Sequence, residues 1–175
     1  MKLNKLWDGL KRIANGDYVL EGDLISEETI EVDLDDRLIV RGSIVSKKSI
    51  IVRRTMIANC GIEAGWGIEA GEGIEAGCGI KAGWGIEAGE GIKAGWGIEA
   101  GEGIKAGTFI DVTKRIFAGV SVYHTSQNCK KTIQCAELRK GEICFGDLII
   151  KTPEVVMTVA EVEAKLGIKN LKIIP

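Results

Sequence analysis

The chain has 175 residues, with 23 lysines and arginines against 25 aspartates and glutamates, for a net charge of −2. A balance that close to neutral lacks the clustered basic excess of a nucleic-acid binder, and no run of about 18 apolar residues is present to span a membrane. The chain has 24 glycines but only two prolines, with most of the glycines at fixed spacing, which points to a repeat architecture and away from disorder.

Taken in chain order, residues 1–16 read as an N-terminal capping helix. Leu3, Leu6, Trp7, Leu10 and Ile13 recur at helical spacing, and a solenoid has to cover the open edge of its first coil. A basic amphipathic anchor on a membrane surface is the competing reading, because Lys2, Lys5, Lys11 and Arg12 accompany Asp8. The segment is short for that role, and it lacks the apolar stretch of a secretory signal. Five cysteines without paired spacing fit a reduced, cytoplasmic protein.

Residues 17–122 read as the solenoid. From Gly61 to Gly107 the chain repeats Gly-Ile-(Glu/Lys)-Ala-Gly-(Trp/Glu/Cys) with a period of six. The phase continues upstream through Leu38, Ile44, Ile50 and Met56, and downstream through Ile110, Ile116 and Val122. Alternation within each hexad means a short strand with Ile62 and Ala64 on one side and Glu63 on the other. The glycines around Trp66 are expected to supply φ freedom at a corner. One hexad cannot bury its own isoleucine, but coils stacked at ~4.8 Å can.

The outward charges count the hexads per coil, since like charges stacked on adjacent strands repel. They run Glu63, Glu69, Glu75, Lys81, Glu87, Lys93, Glu99 and Lys105. Two hexads per coil would leave one opposite-sign neighbour in six. Three hexads bring Glu63 to Lys81, Lys81 to Glu99, Glu75 to Lys93 and Glu87 to Lys105, leaving only Glu69 and Glu87 alike. The expected fold is therefore all-β, a three-sided β-helix of about 18 residues per coil with short helical caps at both ends. It is expected to be right-handed, because Trp66, Glu72, Cys78 and Glu90 are too large for the inward small-residue position of left-handed hexapeptide coils. Cys60 and Cys78, 18 apart, should be stacked.

A polar loop at 123–131 interrupts the repeat and is followed by irregular final rungs over 132–157. Thr158 to Glu161 reads as a capping box that opens a helix with the stripe Val159, Val162 and Leu166, and Gly167 ends it before a last strand, so 158–175 is expected to be the C-terminal helix and strand of a single domain spanning 1–175.

The rungs Glu21-Gly-Asp-Leu-Ile-Ser26 and Arg41-Gly-Ser-Ile-Val-Ser46 resemble those of bactofilins, right-handed three-sided β-helices that polymerise end to end. That likeness implies the same coil and, as an alternative function, a self-assembling structural protein. The Gly-Ile-Glu/Lys-Ala-Gly block and the tail Met157-Thr-Val-Ala-Glu-Val-Glu-Ala-Lys-Leu-Gly167 are similar to repeat proteins of phages and mobile elements. That likeness implies a phage-type inhibitor of a host defence protein, anti-CRISPR proteins included, acting in the host cytoplasm on a partner such as a defence nuclease.

His124, the one histidine, suggests the general base of a hexapeptide transferase, but the small-residue pattern of that family is missing. Cys129, Cys135 and Cys144 match no zinc spacing and read as buried strand thiols. No catalytic residue, metal or cofactor is expected. The residues expected to bind a partner are the corner side chains Trp66, Trp84, Trp96, Glu72, Glu90 and Glu102 and the face lysines Lys81, Lys93 and Lys105. Exposed tryptophans are interface hot spots, although mutual stacking to shield a corner is an equal structural reading. Outward Ile39, Val45, Ile51 and Ile57 have no assignment from the pattern.

Overall fold

A computed structural model of the chain describes residues 1–120 and 131–151. The polar loop with His124 and Cys129, and the helix and strand expected at 158–175, lie outside these residues. The described residues form about seven coils of a β-solenoid and contain no helix.

Each coil carries three short parallel strands, one on each of three faces. Face one stacks Tyr18–Leu20, Leu38–Val40, Met56–Ala58, Ile74–Ala76 and Ile92–Ala94. Face two stacks Leu24–Ser26, Ile44–Ser46, Ile62–Ala64, Ile80–Ala82 and Ile98–Ala100. Face three stacks Ile30–Asp33, Ile50–Val52, Ile68–Ala70, Ile86–Ala88 and Ile104–Ala106. Residue i lies on residue i+18, so Ile62, Ile80 and Ile98 form one column and Ala64, Ala82 and Ala100 another. Every isoleucine and alanine of the repeat from Ile62 to Ala106 is buried. The pattern thus forces the fold: neither side chain can leave water in an isolated hexad, and stacking removes both at once.

The first coil departs from the period. Tyr18 pairs with Leu38, Leu24 with Ile44 and Ile30 with Ile50, a step of twenty residues. The two extra residues sit at the corner that follows Ile30–Asp33. There Leu34 turns into the core, and Arg37 reaches buried Asp17 with a bidentate pair, Nε to Oδ1 at 2.9 Å and Nη2 to Oδ2 at 2.7 Å. The guanidinium holds the Asp17 carboxyl below its usual 3.8.

The N-terminal cap is made of strands, which corrects the expected helix. Lys2–Asn4 adds to face three beside Ile30–Asp33, and Leu10–Arg12 pairs antiparallel with Tyr18–Leu20. Leu3 is fully buried, Trp7 and Leu10 pack against the core, and Leu6 is 83% exposed. A strand satisfies the bare N–H and C=O groups along the edge of the first coil, which a helix laid across it could not.

The last coils also leave the simple phase. Phe109–Ala118 turns from face one to face two as a single strand, bringing Ile110 over Ile92 and Ile116 over Ile98. The next place on face three, which the period assigns to Val122, is filled by Ile133 over Ile104. The final rungs are strands: Glu137–Phe145 lies on Phe109–Ala118 with three register shifts, and Asp147–Ile150 lies on Thr132–Cys135. Cys135 is sealed in the core, where burial raises its thiol pKa. Cys144 is exposed, against the expectation of a buried thiol.

Candidate functional site: face two and its two corners

The corners explain where the large side chains go. Between faces one and two the column runs Gly42, Cys60, Cys78, Trp96, Lys114, each amide donating to the carbonyl one coil below at 2.8–3.1 Å. Between faces two and three it runs Lys48, Trp66, Trp84, Glu102 on the same pattern. Between faces three and one it runs through Glu72, Glu90 and Thr108. The hydrogen-bonded ladder therefore continues around the bends, and corner side chains inherit the stiffness of the strands.

The glycines serve these corners through close approach and not through φ. None of the repeat glycines from Gly61 to Gly107 has a left-handed φ, which corrects the expected role. A Cβ on Gly65, Gly71, Gly77, Gly83, Gly89, Gly95 or Gly107 would sit 1.9–2.1 Å from a carbonyl oxygen of the coil below. The second glycine of the earlier corners is roomier, with a Cβ on Gly67 at 3.5 Å from its nearest neighbour, whereas one on Gly91 would meet the Phe109 ring at 2.4 Å and one on Gly97 the Arg115 carbonyl oxygen at 2.9 Å.

Trp66 and Trp84 stack with ring centroids 5.5 Å apart and planes 8° from parallel, as their spacing predicts. They stay 43% and 47% exposed. Trp96 stands on the other corner of face two, 61% exposed, with the Lys114 ammonium 5.2 Å from its ring centre. The three tryptophans thus make no single ridge; they flank face two, a stacked pair on one edge and one ring on the other.

The expected charged residues are not brought together. Lys81, Lys93 and Lys105 lie on faces two, one and three respectively, and each is held by a carboxylate one coil away: Glu99 at 3.1 Å, Glu75 at 2.9 Å, and Glu87. Glu75 also raises the pKa of Lys93 through their hydrogen bond. Glu69 does lie over Glu87, the one like-charged neighbour of the three-hexad count. Glu72 is taken by Arg54 and by the Thr55 hydroxyl at 3.1 Å, and Glu90 shares that remote corner. Of the charged candidates, Lys81 on face two and Glu102 on its edge remain beside the tryptophans.

A groove of about 1060 Å³ runs along face two. Its floor carries Val45, Glu63, Lys81, Glu99 and Phe117, and Arg115 and Glu142 also line it. A second groove, about 630 Å³, lies on face three with Ile51 in its lining. The outward Val45 and Ile51 thus belong to groove linings, and the Trp66–Trp84 corner divides the two grooves. The pattern missed four contributors. Phe117 occupies the outward place of Glu99 one coil on, so the period alone could have found it. Lys114 and Arg115 replace the Trp-Gly of the preceding corner, and the register shifts of Glu137–Phe145 hide Glu142.

No protein-family model, curated protein or solved structure matches this chain.

Proposed function

We propose that the chain is a non-enzymatic binding protein that presents face two, with its flanking tryptophans, to a partner protein. The observation that carries this reading is the Trp66–Trp84 stack, held half-exposed by a hydrogen-bonded corner beside a groove with an apolar and zwitterionic floor. Aromatic rings fixed before binding lose little entropy when a partner arrives, and such rings are the usual energetic anchors of an interface. The ion pairs along the faces leave the lysines partly neutralised, which suits a protein surface better than a polyanion. The proposed occupant is a host protein, a defence nuclease in the phage-type setting, and this last step rests on the repeat and tail resemblance alone.

The test is capture from host lysate on the immobilised chain. Trp66→Ala, Trp84→Ala and Trp96→Ala combined should keep the β-rich circular dichroism spectrum and lose the captured partner, each hot-spot ring weakening binding on the order of 30-fold. Capture that survives the triple change counts against face two.

Self-assembly is the second reading. It is favoured by Asp147–Ile150, the last strand among the described residues, whose Leu148, Ile149 and Ile150 are exposed. The N-terminal cap strands cover faces one and three of the opposite end. Sedimentation separates the readings: filaments support assembly, and a discrete small species supports the binder.

A further inference from the structure

We propose that Cys60 and Cys78 form a two-coordinate site for a soft d10 cation, with Cu(I) as the biologically available member of that class. The two residues occupy the same corner place in consecutive coils. The Cys78 amide donates to the Cys60 carbonyl at 3.0 Å, inside a ladder that continues from Gly42 below to Trp96 above. Cys60 is exposed, Cys78 is half-buried, and both are free thiols. Their side chains therefore leave the corner side by side, one coil apart.

The spacing selects the chemistry. Neighbouring parallel strands stand about 4.8 Å apart, and side chains at the same place in successive coils keep a similar separation. A disulfide takes Cα atoms about 4.4–6.8 Å apart, which the coil spacing meets, but Cβ atoms only about 3.5–4.5 Å apart, so closing one would have to draw the two Cβ atoms in from the coil spacing. The ladder yields little, because a Cβ on Gly77, next to Cys78, would already lie 2.0 Å from the Asn59 carbonyl oxygen. A linear sulfur–metal–sulfur bridge has a different span. With bonds of about 2.3 Å, the length of a zinc–thiolate bond, it reaches about 4.6 Å, close to the coil spacing.

The donor count points the same way. Among the described residues no group of three or more histidine, cysteine, aspartate or glutamate side chains could hold a metal. Zinc, which takes four ligands, is therefore poorly served, whereas thiolates select Cu(I) among soft ions. The reaction balances as two thiols plus Cu(I) giving a bis-thiolate complex with one negative charge and two released protons, so retention should strengthen as pH rises.

The test uses the full chain with Cys129→Ser and Cys144→Ser, which leaves Cys60, Cys78 and the core-sealed Cys135. Titrated with Cu(I) under anaerobic conditions against a chromogenic Cu(I) chelator, it should hold one ion per chain independent of protein concentration. Cys60→Ser and Cys78→Ser should each weaken retention on the order of 100-fold or more, the loss expected when a second intramolecular ligand is removed. Zn(II) should show no comparable difference between parent and variants. Cys60 is exposed, so Cys60→Ser carries the test even if Cys78→Ser melts early. Single-serine variants that retain Cu(I) as tightly as the parent overturn the proposal, and so does a stoichiometry of one ion per two chains.

Discussion

Ile80→Ala is expected to destabilise the chain by about 2–5 kcal/mol, the range for emptying a buried aliphatic site that cannot collapse. Ile80 is 1% exposed and lies in the middle of its column, with Ile62 below and Ile98 above. Its removal opens a void that touches both neighbouring rungs, and in a solenoid the interface between rungs supplies much of the stability. The backbone ladder fixes the coil spacing, so the rungs have little freedom to close the gap. Urea denaturation followed by circular dichroism measures the loss. Ile25→Ala serves as the control: this side chain is 62% exposed on the outer surface of face two, and its loss should fall within about 0.5 kcal/mol. Equal effects at the two positions would contradict the inward placement of the repeat isoleucines.

Gly65→Ala and Gly67→Ala, on either side of Trp66, should behave differently. A Cβ on Gly65 would lie 2.1 Å from the Lys47 carbonyl oxygen and 2.8 Å from its carbon, both backbone atoms. The corner must shift to admit it, at about 1–3 kcal/mol for such overpacking. A Cβ on Gly67 would meet the Gly85 carbonyl oxygen at 3.5 Å, an ordinary contact, so the change should be near neutral. If φ freedom were the reason for both glycines, the two variants would lose similar amounts. Thermal melts of the pair decide between the two causes. The result also bears on binding, since a corner displaced at Gly65 moves Trp66 relative to Trp84.

Much of this was legible in the residues, because a solenoid writes its contacts at a fixed interval. The signs of the eight outward charges from Glu63 to Lys105 were enough to choose three hexads per coil, and the Lys81–Glu99 pair sits where that count put it. The stacking of Trp66 on Trp84 follows from the same eighteen-residue step. What the period could not show is whatever breaks it. Leu3, Leu6, Trp7, Leu10 and Ile13 suit a helix by spacing, but spacing carries no information about the unpaired strand edge they meet. Leu34 and Arg37 lengthen the first coil through a buried turn and the Asp17 pair, contacts between corners and not within a repeat. Ile133 takes the place over Ile104 where the period would put residue 122, and a departure of that kind leaves no trace in the repeat.

The candidate site was less legible than the fold. Each tryptophan was read correctly as an exposed corner residue, but the division of Trp66 and Trp84 from Trp96 puts face two, and not a ridge, at the centre. Lys93, Lys105, Glu72 and Glu90 looked like partner contacts from their outward phase alone. In the structure the first three are held by Glu75, Glu87 and Arg54 respectively, and Glu90 lies on the remote corner with Glu72. Such exposed pairs contribute little individually, about 0–1 kcal/mol, yet they set the register of the stack by rejecting alternatives.

The whole arrangement depends on one turn of the repeat taking eighteen residues. Spin labels at Val45→Cys and Phe117→Cys, in a chain whose other non-core cysteines are serine, measure it by pulsed dipolar spectroscopy. Both positions face outward on face two, and the register carries Val45 through Glu63, Lys81 and Glu99 to Phe117 in four steps. The expected separation is about 19 Å, four coil spacings. A separation near 29 Å, the six spacings of a twelve-residue coil, or a distribution with no defined peak, would contradict the account.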